Sequence, residues 1–126
     1  MMLVPVRLDR SRIHGLGVFA VEFIPKGTQV WRFMAGFDLD LDPARVEAQP
    51  MHMRKALLHY GYIDSRLERY ILCCDDARFM NHSDEPNTWP DFSLDPYGVD
   101  IAVRDIAAGE EITTDYGQMD GSRPEE

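Results

Sequence analysis

Apolar positions in this chain come in short runs broken by turn residues. LVPVRL (3–8) opens the pattern, and an apolar strand over Val18 to Val21 follows Gly15 and Gly17. IPKGTQVWRF (24–33) reads as a Pro-x-Gly turn feeding a strand rich in β-branched and aromatic residues. ERYILCCD (68–75) has the continuous apolar character of a buried strand, and GVDIAVRDI (98–106) alternates with period two. AAGEEITTDYG (107–117) predicts a glycine turn, a three-residue strand and a polar-aromatic end. One segment, about 42–63, departs from this rhythm. Asp42 is placed as an N-cap with Pro43 at the first helical position, and Pro50 divides a short turn from a helix over Met51 to Tyr60. Gly61 is the expected C-terminal stop. The pattern predicts a mostly β fold with short strands, one helical insert, long connections and a frayed GSRPEE tail.

Length and composition narrow the class. A chain of 126 residues is expected to form one domain and to bury roughly 65–70% of its unfolded surface. It has no run of 18 apolar residues, and MMLVPVRLDR lacks a hydrophobic signal region. A soluble, intracellular, cytoplasmic protein is expected. Cys73 and Cys74 are neighbours, so a bridge between them closes no useful loop. With no CxxC and four scattered histidines there is no zinc spacing, so no metal is expected, and the thiols read as a small buried pair in a strand. The net charge of −9, from 22 acids against 13 bases, disfavours nucleic-acid backbones. It either draws in a cationic partner or only keeps the surface soluble.

Three stretches carry candidate chemistry. The glycines of GLG (15–17) either form a turn or let backbone approach a ligand. In RFMNHSDEPN (78–87), Asn81 either presents carbonyl and amide to one ligand group or builds an Asx turn beside a satisfied histidine. A Ser-His-Asp hydrolase fits poorly, because its three groups cannot easily converge from one short stretch. Tyr116 either packs or offers a hydroxyl that donates and accepts.

Taken together, SRIHGLGVFA, ARFMNHSDEPNT and IAVRDIAAGEEITTDYG resemble, in order and spacing, the signature motifs of the SET-domain protein-lysine methyltransferases, over residues 3–117. The likeness is to a small stand-alone member without a cysteine-rich closing segment. It implies a SET (β-clip) fold of several small curled sheets with a C-terminal pseudoknot, a domain over 1–117 and a flexible tail over 118–126. It also implies S-adenosyl-L-methionine as cofactor, held by Gly15, Leu16, Gly17, Asn81, His82 and Tyr116, with His14 and Arg12 matching the pattern. Tyr116 matches the catalytic tyrosine at the methyl-transfer point. Tyr70, Phe33 and Trp89 are the candidate aromatics of the lysine channel. Thr114 and Met34 stand where many members carry tyrosine, and QMDGSRPEE supplies no closing segment. The resemblance implies methylation of a lysine in a basic, histone-like protein segment, without direct nucleic-acid or membrane binding and with a possible homodimer. The alternative is a catalytically weak or inactive binding module of the same fold.

Overall fold

The structure is a computed structural model that describes residues 1–119. The expected flexible tail over 118–126 falls, from residue 120 on, outside the described residues. In chain order the elements are β1 (Val6–Arg10), β2 (Leu16–Ala20), β3 (Gln29–Trp31), β4 (Leu39–Leu41), α1 (Pro43–Glu47), α2 (Met51–Tyr60), β5 (Gly61–Asp64) and β6 (Arg69–Leu72). A 3-10 turn over Asp76–Phe79 follows, then β7 (Asn81–His82), β8 (Thr88–Asp91), β9 (Val99–Ala102), β10 (Glu111–Thr114) and α3 (Tyr116–Met119). The fold is mostly strand, in several small sheets with few helices, as the apolar pattern predicts.

Three sheets result, ordered β1-β2-β10-β7, β3-β9-β8 and β4-β6-β5. The first positions the site. β10 pairs antiparallel with β2, Ile112 opposite Val18, and parallel with β7, Thr113 opposite Asn81. A late strand therefore lies between the glycine-rich start and the Asn-His-Ser segment. Asn87 locks the arrangement like an extra strand residue. Its Nδ2 donates to Glu111 O at 2.8 Å, and its Oδ1 accepts from Thr113 N at 2.8 Å. The main core, Val18, Ala20, Ile24, Val30, Met80, Ala102, Ile106 and Ile112, joins the first two sheets. A smaller cluster of Trp31, Cys73 and Ala77 packs with Phe33 and Tyr62.

The insert forms as its caps dictate, with Asp42 accepting from Ala44 N and Pro43 opening α1. Pro50 separates it from α2. Gly61 ends α2, but in extended backbone (φ −110°) and not in the left-handed stop expected of a C-terminal glycine. β5 starts there at once, and a Cβ on Gly61 would lie 2.8 Å from Ile71 O, so close strand packing explains the glycine. The expected strand over 24–33 is confined to β3, with Ile24 making only an isolated bridge to Ile106. The expected buried pair of thiols is half right: Cys73 is buried, while Cys74 is exposed just beyond β6.

Candidate active site

Two cavities meet at the end of α2. The larger, about 630 Å³, is lined by the 13–16 loop, Phe79, Asn81 and His82. The smaller, about 350 Å³, is lined by Leu58, Gly61, Tyr62, Ile63, Cys73, Ala77 and Met80. His59, Tyr60, Arg78 and Tyr116 line both and form the wall between them.

β10 delivers Tyr116 to this wall. The phenol hydroxyl donates to Met80 O at 2.7 Å, which fixes the ring. Tyr116 N–H donates to His82 Nδ1 at 3.1 Å, so that nitrogen is the acceptor, and Nε2 lies 3.0 Å from Asp84 Oδ1. Burial holds the Tyr116 phenol above its usual pKa, and the nearby Glu111 charge adds to the effect. It stays protonated at neutral pH. On the smaller cavity, burial first and the Asp38 charge second push the Cys73 thiol up to about 12. Burial likewise raises Tyr62. Neither is an ionised base. The Arg78 guanidinium, bound to Cys73 O at 2.8 Å and lying 5.1 Å from the Tyr60 ring centroid, brings positive charge to the wall.

Asn81 is buried, and its amide is engaged inside the protein. Nδ2 lies 3.0 Å from His14 O, 3.0 Å from Leu16 O and 2.9 Å from Glu111 Oε2. It thereby ties the glycine-rich loop to β7. Gly15 takes a left-handed conformation (φ +47°), and a Cβ there would meet nothing within 4 Å. That glycine serves the shape of the loop. Gly17 serves close packing, since a Cβ there would run into the Glu111 carboxylate.

Gly15, Leu16, Asn81, His82, Tyr116 and His14 thus line one cleft, and Gly17 is not among its lining residues. The three candidate channel aromatics lie elsewhere. Tyr70 pairs with Ile63 on β5 and is not among the residues lining either cavity. Phe33 stacks on Tyr97, centroids 4.0 Å apart. Trp89 is exposed on the edge strand β8. Thr114 is fully buried and, like Met34, is not among the residues lining either cavity. Sequence reasoning missed His59, Tyr60 and Arg78 as wall residues, Tyr62 as a lining residue of the smaller cavity, and Glu111 as the tie between motifs. The aromatic end of the insert helix, HYGY, was the available signal. Among the described residues, no group of three His, Cys, Asp or Glu could hold a metal, and no helix is long and apolar enough to cross a membrane.

A family model described as the SET domain matches residues 15–117. Histone-lysine N-methyltransferase 2D of Homo sapiens is 29% identical over 114 residues, covering 88% of this chain and 2% of that protein. The H3 lysine-4 specific histone-lysine N-methyltransferase of Chaetomium globosum is 31% identical over 129 residues, covering 89% of this chain and 11% of that protein. The chain thus spans a small fraction of the curated relatives it matches. Among solved structures, an active polycomb repressive complex 2 in the stimulated state superposes with a TM-score of 0.64 at 25% identity, over 90% of this chain and 15% of that one. A Plasmodium falciparum protein of known structure covers 92% of this chain and 96% of its own, with a TM-score of 0.60. At 23% identity, that likeness shows the fold alone.

Proposed function

We propose a protein-lysine methyltransferase: the chain belongs to the SET-domain family, and its two cavities give two reactants separate places against one shared wall. The presence of Tyr116 in both cavities carries this reading. The larger cleft fits S-adenosyl-L-methionine. Its volume lies within the range of small-molecule sites. It offers the aromatic rings of Tyr60 and Phe79 beside His14, Leu16 and Asn81. When bound there, this cofactor supplies an electrophilic methyl group on a sulfonium cation. Residues 13–16, Asn81 and His82 would hold it.

The smaller cavity would take the lysine side chain. A lysine amine attacks only when neutral. Apolar walls and the Arg78 charge both disfavour the ammonium form. Cys73 and Tyr62 stay protonated and offer no opposite charge to hold it. Because the Tyr116 hydroxyl donates to Met80 O, its lone pairs remain free to accept from an incoming amine. Tyr116 would orient that amine, and alignment of this kind lowers a barrier by up to roughly 7–11 kcal/mol in ideal cases.

The net charge of −9 suits a substrate with a basic, lysine-bearing segment. The named relatives act on histones, and a histone-like tail is the proposed substrate class. Two free cysteines suit a reducing, intracellular compartment. Exposed Met51, Met53 and Leu58 on α2 suit self-association, for which sedimentation showing only a 14.5 kDa species would be contrary. The test of the activity is incubation with labelled S-adenosyl-L-methionine and a cell lysate, followed by mass spectrometry. Labelled lysines are expected. Cofactor binding with no labelled lysine would point to a binding module instead.

A further inference from the structure

Glu111 is half-buried in β10. Its carboxylate is where the three motif segments touch. Ser11 Oγ donates to Oε1 at 2.7 Å and reaches Oε2 at 3.0 Å. Asn81 Nδ2 donates to Oε2 at 2.9 Å. The same Ser11 hydroxyl accepts from Ile13 N at 2.9 Å and His14 N at 3.3 Å, while Ser11 N donates to Gly15 O at 2.8 Å. The 11–15 turn is therefore built around Ser11, and Ser11 is anchored by Glu111. The register explains the reach. Glu111 faces Phe19 across the β2–β10 pair, so its side chain shares a face with Gly17, two residues along. A Cβ on Gly17 would lie 2.8 Å from Glu111 Cδ and 3.1 Å from Ser11 Cβ. The glycine leaves room for the carboxylate.

We propose that Glu111 is the positioning residue of the cofactor cleft, its carboxylate clamping the 11–17 loop to Asn81 so that residues 13–16 present a fixed wall. A carboxylate suits the task because it accepts from Ser11 and Asn81 at once without donating to either. A glutamine of the same shape can present only one acceptor oxygen and must turn an amide towards the other partner. The clamp also explains a glycine at position 17, where the backbone is not left-handed but a Cβ would push against the Glu111 carboxylate.

Two readouts on the full chain test this. The first needs no cofactor. Hydrogen exchange at the Ile13 and His14 amides should quicken at least severalfold in Glu111→Ala and less in Glu111→Gln, while amides of the β3-β9-β8 sheet keep their rates. Should Glu111→Ala fail to fold, Glu111→Gln decides the matter. The second readout rests on the proposed function. In Glu111→Ala, S-adenosyl-L-methionine affinity should fall about ten- to a hundredfold, the range for a charge-assisted hydrogen bond. KM for the cofactor should rise by more than kcat falls. A suppression test adds to both. Gly17→Ala should loosen the loop in the wild-type background and change it less than about twofold in the Glu111→Ala background, where the obstructing carboxylate is gone. Unchanged loop exchange in both Glu111 variants would overturn the proposal, as would an equal effect of Gly17→Ala in the two backgrounds. A wild-type protein that binds no cofactor would count against the proposed function, and the exchange result would still decide the role of Glu111.

Discussion

The two sides of the shared wall are built differently. On the β10 side, Asn81, Asn87, Thr88 and Thr113 are buried, and each is hydrogen-bonded to a strand or loop partner. On the α2 side, no residue of the helix is buried, and Met51, Met53, Leu58 and Tyr60 are exposed. Both sides contribute to both cavities: Tyr116 from the first, His59 and Tyr60 from the second. The contrast assigns them different tasks. These four paired groups resist displacement, since moving one leaves another unpaired at a cost of about 1–3 kcal/mol, whereas the buried Thr114 hydroxyl on the same strand has no partner among the described residues. A helix held by partly exposed contacts shifts at little cost. On this contrast the β10 side is the more firmly fixed of the two and the α2 side the more easily displaced.

The largest stability effect should come from Asn87→Ala. It strips Thr113 N and Glu111 O of their partners in the interior, and a loss of about 2–4 kcal/mol is expected from urea unfolding. A loss no larger than that of a surface variant would break the contrast.

Asp100 is a weak point of the neighbouring β3-β9-β8 sheet. It is buried in β9, and desolvation raises its carboxyl pKa from 3.8 to about 7, with the N-terminal charge offsetting only part of this. Between about pH 4 and pH 7 the unfolded chain is ionised while the native state keeps its proton. The native state then binds more protons, so stability falls as pH rises through that window and levels off above it. Asp100→Asn should flatten this slope and add about 1–3 kcal/mol at pH 8. A variant whose pH dependence matches the wild type would show that Asp100 is not the titrating group.

Gly61→Ala sharpens the boundary between the two sides. The new methyl would lie 2.8 Å from Ile71 O and 3.0 Å from Leu57 O. Calorimetry should show a loss of about 1–2 kcal/mol from the forced shift, although α2 itself tolerates change. Leu58→Ala should sit at the bottom of the scale. Its side chain is half-exposed, so stability should move by no more than about 0.5 kcal/mol. Because Leu58 lines the smaller cavity, KM for the protein substrate should rise even so. A stability loss above about 2 kcal/mol would mean that α2 belongs to the core.

The sequence was informative where the physics is local. Asp42, Pro43 and Pro50 act within a turn or two of themselves, and α1 and α2 begin where they stand. The motifs around Gly15, Asn81 and Tyr116 were visible because each is a dense local cluster of unusual residues. Tyr62 and Tyr70 were not distinguishable, because both lie on paired strands of one sheet and only Tyr62 lines a cavity. Glu111 looked like one acid among 22, and only the placement of β10 between β2 and β7 gives it partners. Cys73 and Cys74 both follow β6, and as neighbours in sequence one is buried while the other is exposed.

The account stands most directly on Tyr116, the β10-side residue that faces both cavities. Tyr116→Phe removes the hydroxyl bond to Met80 O and keeps the ring. On a lysine peptide identified by the lysate experiment, the single-turnover methylation rate should fall about 10²–10³-fold, the effect of removing one preorganised polar contact from a reacting centre. Cofactor affinity, measured by calorimetry on the same sample, should change less than about threefold, since the hydroxyl acts mainly in the transition state. Equal methylation rates for wild type and Tyr116→Phe would contradict the account and leave Tyr116 as a packing residue.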